Sequence, residues 1–173
     1  SVEPIAVIEG RTDENGEELP CALATRFLPF SLPYRVLLSG KDVTAQDITL
    51  MASALALLLV RLHLLGFWWG DCSLSNTLFR RDAEGFAAYL VDAETGHLYD
   101  SRLSNGQREN DLEIARVNIA GELMDLIASG KAASDLEPAA ISQRIVDKYH
   151  ELWKELTATE TIPADERWRI SRR

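Results

Sequence analysis

Cysteine is scarce in this chain: Cys21 and Cys72 are the only two among 173 residues. A pair so far apart in sequence gives no disulfide framework, which points to a reducing, cytoplasmic setting. Histidine is equally sparse. His97 and His150 stand isolated with no second His or Cys at zinc spacing, and His63 lies in an apolar stretch where a hydrogen-bonded core histidine is expected. Basic residues are outnumbered, 18 Lys and Arg against 27 Asp and Glu, for a net charge of -9. That balance argues against a nucleic-acid-binding face, which needs clustered cations, and it gives no attraction to an anionic membrane. No signal peptide opens the chain. Its most apolar run, Leu50 to Val60, is bounded by Asp47 and Arg61 and is too short to span a bilayer. Internal repeats and low-complexity segments are missing too. Apolar residues, in contrast, make up 46% of the chain. Over a length typical of one domain, that supports a sizeable core.

The apolar residues fall into strand and helix periods. Pro4–Ile8 and Cys21–Phe27 read as two strands, with a turn at Asp13-Glu14-Asn15-Gly16. The acidic run Asp13, Glu14, Glu17 and Glu18 reads as the solvated tip of that hairpin. Pro29 and Pro33 punctuate a connector. A long helix follows, opened by a Thr44/Asp47 capping box, carried by Ile48, Met51, Leu55, Leu58, Leu59 and Leu62, and ended by Gly66. It is apolar around much of its girth, so it is expected to lie centrally. A Ser-, Asn- and Gly-rich loop spans about 100–106. Two further helices close the chain: one on Leu112, Ala115, Ile119, Leu123 and Leu126, stopped by Gly130, and one on Ile141, Ile145, Tyr149, Leu152 and Leu156, with Ser134 and Glu137 as a candidate capping box. Asp111 is expected near the start of the first of these, where a carboxylate favours the helix dipole.

Chemistry concentrates in Gly70-Asp71-Cys72-Ser73-Leu74-Ser75-Asn76-Thr77-Leu78-Phe79 and in Val91-Asp92-Ala93-Glu94. Asp71 and Asn76 lie five apart in a loop. Strands at 77–80 and 86–91, joined by a turn at 81–85, make an antiparallel ribbon that carries Asp92 back beside Asn76. An amide oxygen and a carboxylate gathered in this way suit a hard cation such as magnesium. Cys72 does not fit a nucleophile elbow, which needs Gly two residues on where Leu74 stands.

These residues resemble the protein-kinase-like superfamily. Trp69-Gly70-Asp71 stands for H-R-D, Asn76 for the Asn of the same motif, and Asp92-Ala93-Glu94 for D-F-G. Gly before the first Asp and Glu after the second resemble the atypical small-molecule branch, the aminoglycoside, choline and lipopolysaccharide kinases. The wording of the stretch is similar to an actinobacterial domain family related to lipopolysaccharide kinases. The resemblance covers roughly residues 5–130. It implies an α+β, kinase-like fold: a remnant N-lobe hairpin at 1–28, a hinge-like connector at 29–34 with Phe27 and Leu28 meeting an adenine, a mainly helical C-lobe at 35–160 carrying a catalytic loop and hairpin at 67–96, and a basic tail at 161–173. It implies Asp71 as catalytic base, Asn76, Asp92 and Glu94 as ligands of magnesium, ATP as phosphoryl donor, and a hydroxyl of a small molecule, lipid or glycan as acceptor. It also raises the thought that Asp111 braces the catalytic loop. Trp68 and Trp69, in place of His and its neighbour, are expected to pack the loop onto the core. Ala93 in place of Phe removes the side chain that sets active and inactive poses.

A Gly-rich phosphate loop and a strand Lys are both missing. Lys41 is the only Lys ahead of the long helix and falls beyond the connector, while Arg11, Arg26 and Arg35 are not equivalent substitutes. Three readings follow: a truncated kinase-like domain whose missing parts lie upstream, inactive by itself; a pseudokinase or regulatory binding module; or a helical interaction domain in which Asp71 and Asp92 are turn residues. The strand-first start favours the first. In that case an exposed strand edge invites homodimerisation.

Overall fold

A computed structural model describes residues 2–39, 43–83, 85–133 and 135–158. The basic tail at 161–173, Lys41, Glu84 and the proposed cap Ser134 lie outside the described residues. The first hairpin forms as its pattern implies. Strand β1 (Pro4–Ile8) pairs antiparallel with β2 (Ala22–Thr25), with Val7 opposite Leu23. At its tip the Asp13 carboxylate accepts from the backbone N–H of Glu17 at 2.8 Å and of Asn15 at 2.9 Å. Those bonds, Glu17 foremost, hold the Asp13 carboxyl below its ordinary range. Among the described residues no helix covers the ribbon, and Ile5, Val7 and Leu23 are each more than 60% exposed.

The connector is not merely a loop. Ser31–Pro33 form a strand, β3, and Tyr34–Leu38 a short helix, α1. Strand β3 lies against β5 (Thr77–Arg81), which in turn pairs with β6 (Phe86–Leu90), giving the order β3-β5-β6. Pro33 is tolerated there because β3 is an edge strand that need not donate from every residue. Its fixed φ of -70° also serves as the N-cap geometry of α1.

Helix α2 (Ala45–Leu64) is the central element. Thr44 and Asp47 form the capping box reciprocally, at 3.1 Å each way between side chain and backbone. Leu55, Ala56, Leu59 and Val60 are completely buried. Its 20 residues are long and apolar enough to cross a membrane by composition, yet 61% of its most apolar window is buried inside the protein. It packs on α4 (Pro138–Thr157) and on β6, as a core helix does. Gly66 ends it with φ +81°. A Cβ at Gly66 would come within 2.7 Å of the Tyr99 carbonyl oxygen, so both the left-handed backbone and the close approach require glycine. Two residues per strand, β4 (Phe67–Trp68) and β7 (His97–Leu98), then pair to bring the chain past the site.

Helix α3 spans Asn105–Ala128 and begins earlier than its apolar stripe implies, because Ser104 and Gln107 make a capping box inside the segment expected to be loop. Asp111 therefore sits well inside α3 and is fully buried, not at the helix start. The expected stripe Leu112, Ala115, Ile119, Leu123 and Leu126 is buried. Helix α4 starts differently from expectation too: Glu137 is its N-cap without a side-chain cap bond, and Pro138 occupies the first turn.

Candidate active site

The loop 69–76 is held by side chains from α3. The Asp111 carboxylate accepts from the backbone N–H of Trp69 at 2.6 Å and of Gly70 at 2.7 Å. Gly70 has φ +76°, and a Cβ there would strike the Trp68 ring at 2.8 Å. Glu122 accepts from the N–H of Leu74 at 2.7 Å and of Ser75 at 2.9 Å, and from the Ser75 hydroxyl. Thr95 donates its hydroxyl to the Trp69 carbonyl, and Thr77 donates to that of Ser73. Trp69 is fully buried, in keeping with a packing role.

Behind Asp111 runs a chain of buried polar groups. His63 Nε2 lies 3.1 Å from Asp111 Oδ2, and His63 Nδ1 lies 2.7 Å from the Tyr149 hydroxyl. Arg108 Nη1 reaches the same hydroxyl at 3.2 Å while its guanidinium stacks 3.9 Å over the Trp153 ring. A carboxylate only accepts and a guanidinium only donates. The consistent assignment is that Arg108 donates to Tyr149, Tyr149 to His63 Nδ1, and His63 Nε2–H to Asp111. Burial, opposed by Arg108, pushes the Tyr149 hydroxyl up to about 12. His63 is thus the hydrogen-bonded core residue anticipated, and it links α4 to the loop.

Asp71 and Asn76 come together. Asn76 Nδ2 donates to Asp71 Oδ2 at 3.1 Å and to the Asp71 carbonyl at 3.3 Å. With its nitrogen turned to Asp71, the side-chain oxygen of Asn76 is left for another partner. Asn118, on α3, donates to Asp71 Oδ1 at 3.1 Å and to the Cys72 carbonyl at 3.3 Å. Beside Asp71 opens a cavity of about 480 Å³, walled by Ser73, Val117, Asn118, Glu122 and Asp125.

The ribbon delivers Asp92 to the residue after the backbone pair Val91 N–H to Asn76 O, at 3.1 Å. Asp92 Oδ1 accepts from the Glu94 N–H at 3.2 Å, and both side chains are exposed. No three His, Cys, Asp or Glu side chains converge among the described residues. The remaining donors, the Asn76 amide oxygen and the second Asp92 oxygen, are hard oxygen ligands. Oxygens of this kind are the type that hard cations such as magnesium take. At the connector, Leu28 is half-buried and its carbonyl accepts the Ser31 hydroxyl at 2.8 Å, whereas the Phe27 side chain is 83% exposed. Cys72 is fully buried, and burial, reinforced by Asp111, Glu122 and Asp71, raises its thiol well above its ordinary range, which does not suit a nucleophile.

Sequence reasoning missed Asn118 and Glu122. The signal was present: Asp111, Asn118 and Glu122 recur at i, i+7 and i+11, along one side of the apolar stripe.

Central helix, ribbon, anchored loop and two closing helices make a mixed α+β fold. No family model matches the chain, and no curated protein matches it. Twelve chains of solved structures do match. One, described as "WaaP in complex with acyl carrier protein", superposes with a TM-score of 0.59 at 14% identity, over 87% of this chain and 59% of that one. At that identity the likeness shows the fold alone, and this chain spans 59% of the length of its neighbour.

Proposed function

We propose that this chain is the catalytic-loop portion of a kinase-like phosphotransferase of the lipopolysaccharide-kinase-like branch. The parent protein would transfer the γ-phosphoryl group of ATP to a hydroxyl of a small molecule, lipid or glycan in the cytoplasm. The observation that carries this reading is Asp71, its two carboxylate oxygens each accepting one amide N–H, at the wall of an open cavity. A carboxylate oxygen so engaged keeps a lone pair for the proton of an attacking hydroxyl. In the reaction the hydroxyl oxygen bonds to the γ-phosphorus, the bond from that phosphorus to the ADP oxygen breaks with its electron pair leaving on ADP, and the hydroxyl proton passes to Asp71. Base help of this kind is worth about 10²–10⁴ in rate. Asn76 and Asp92, with Glu94 beside them, would hold magnesium, which when bound neutralises phosphate oxygens. Phe27 and Leu28 would offer backbone groups to the adenine. The bare apolar side of the β1–β2 ribbon supports self-association through that ribbon.

A pseudokinase reading has its own support. Arg26 pairs with Glu3, Arg11 bonds the Pro20 carbonyl, and Arg35 lies over the Tyr34 ring, so each of the three candidate phosphate cations is engaged elsewhere. These 173 residues alone are accordingly expected to turn over little or no ATP. Calorimetry on the parent protein separates the readings. Magnesium-dependent ATP binding that Asp92→Asn abolishes supports the enzyme; no nucleotide binding with or without magnesium refutes it.

A further inference from the structure

We infer that Asn118 is the positioning residue of Asp71, an inference that rests on the base role proposed for that carboxylate. Asp71 follows Gly70, whose left-handed φ turns the chain at a half-buried bend where nothing in its own backbone fixes the plane of its carboxylate. Asn76 supplies one restraint, but from the same loop, so the two can swing together. Asn118 supplies a restraint from outside. It lies on α3 beside Ile119, which is completely buried, so the core sets its backbone position. Both amide hydrogens are committed, one to Asp71 Oδ1 at 3.1 Å and one to the Cys72 carbonyl at 3.3 Å. The reversed amide would set its oxygen against a carboxylate and a carbonyl, so the assignment is forced by chemistry. Asn118 therefore ties side chain and main chain of the loop to the same point of α3, and it also walls the cavity where a hydroxyl acceptor would enter.

The consequence is specific to turnover. An ångström of misplacement at a reacting group costs about 10²-fold, while nucleotide contacts elsewhere are untouched. The test uses the parent protein and phosphate release from magnesium-ATP with water as the acceptor, comparing wild type, Asp71→Asn, Asn118→Ala and Asn118→Asp. The Asp variant keeps the shape of Asn but replaces its NH₂ donor with a carboxylate oxygen set against Asp71, and the Ala variant removes the donor without adding charge. Both Asn118 variants are expected to lose about 10²-fold in kcat, with the KM for ATP and the thermal midpoint held. Full kcat in Asn118→Asp, alongside a dead Asp71→Asn, overturns the positioning role and leaves the base assignment standing. A rise in KM that accounts for the loss, or a collapse of the thermal midpoint in both variants, makes Asn118 a binding or purely structural residue and overturns it as well. Full activity in Asp71→Asn, or no release by wild type above background, removes the base assignment and this inference with it.

Discussion

Replacing Asp111 with asparagine tests the way the loop is held. The carboxylate accepts three hydrogen bonds, from Trp69 N–H, Gly70 N–H and His63 Nε2, and is completely buried. Asparagine retains one acceptor oxygen and turns an NH₂ toward groups that are themselves donors. With its oxygen in the place of Oδ2 it keeps Trp69 N–H and His63 Nε2, and Gly70 N–H loses its partner and faces the NH₂ instead. An orphaned donor costs about 1–3 kcal/mol, so Asp111→Asn is expected to lose about 1–3 kcal/mol. That is a large share of the ~5–15 kcal/mol typical of a domain. Urea melts followed by circular dichroism would show it as a lower midpoint at unchanged slope. The chain of partners adds a second measurement. Tyr149→Phe leaves His63 Nδ1 without its donor and should cost about 1–3 kcal/mol. Because both changes act on His63, the double mutant should depart from the sum of the singles by ~0.5–3 kcal/mol. A loss under about 1 kcal/mol in Asp111→Asn, or strict additivity with Tyr149→Phe, would show that the buried network does not hold the loop.

Tyr149 also gives an alkaline signature. Its proton is held up to about 12 when folded against an ordinary value of 10.0. The associated stability is intact below pH 10 and drains as pH rises toward 12, at up to about 1.4 kcal/mol per pH unit. Urea midpoints across that window should fall less steeply in Tyr149→Phe. Thr44→Ala should cost ~1 kcal/mol through loss of the α2 cap. The Thr44 hydroxyl, then its backbone N–H, hold the Asp47 carboxyl below its ordinary 3.8. That contribution is present above pH 3.8 and disappears as acid titrates Asp47, so the mutant penalty should shrink in strong acid. Titration with an aromatic disulfide should find Cys21 reactive and Cys72 silent in native protein, and both reactive in denaturant. Rapid native labelling of Cys72 would contradict its burial.

What the sequence reveals follows from how local each interaction is. The β5–β6 ribbon was legible because two apolar runs flank one turn. Helix α2 was legible because its capping box lies four residues wide at the head of a long periodic stripe. Asp71 and Asn76 were legible as a pair because they share one loop. Strand β3 was not, since Ser31, Leu32 and Pro33 have no readable period and pair with residues 78–80, far along the chain. Strands β4 and β7, at two residues each, carry no pattern of their own. Glu122 and Asn118 contact the loop across 46 to 48 positions, and on a helix surface a polar residue facing a loop looks like one facing water. The missed helix start has a similar origin: Ser104 and Gln107 form a cap only as a pair, and in isolation each reads as loop.

The same helix that was hardest to read now separates two halves of the molecule in energetic terms. Helix α3 buries Leu112, Ala115, Ile119 and Leu123 along one stripe and anchors 69–76 through Asp111, Asn118 and Glu122 beside it. Core packing and loop geometry are therefore fixed by one rigid element, and α4 adds to it through Tyr149, which bonds His63 and accepts from Arg108 of α3. None of these anchors comes from the β1–β2 ribbon. The ribbon meets the body through contacts such as Val2 N–H to Leu90 O, at 3.3 Å, and leaves its apolar side chains in water. Substitutions confined to that ribbon are expected to leave the presentation of Asp71 unchanged. The loop that presents Asp71 is thus preformed in this chain.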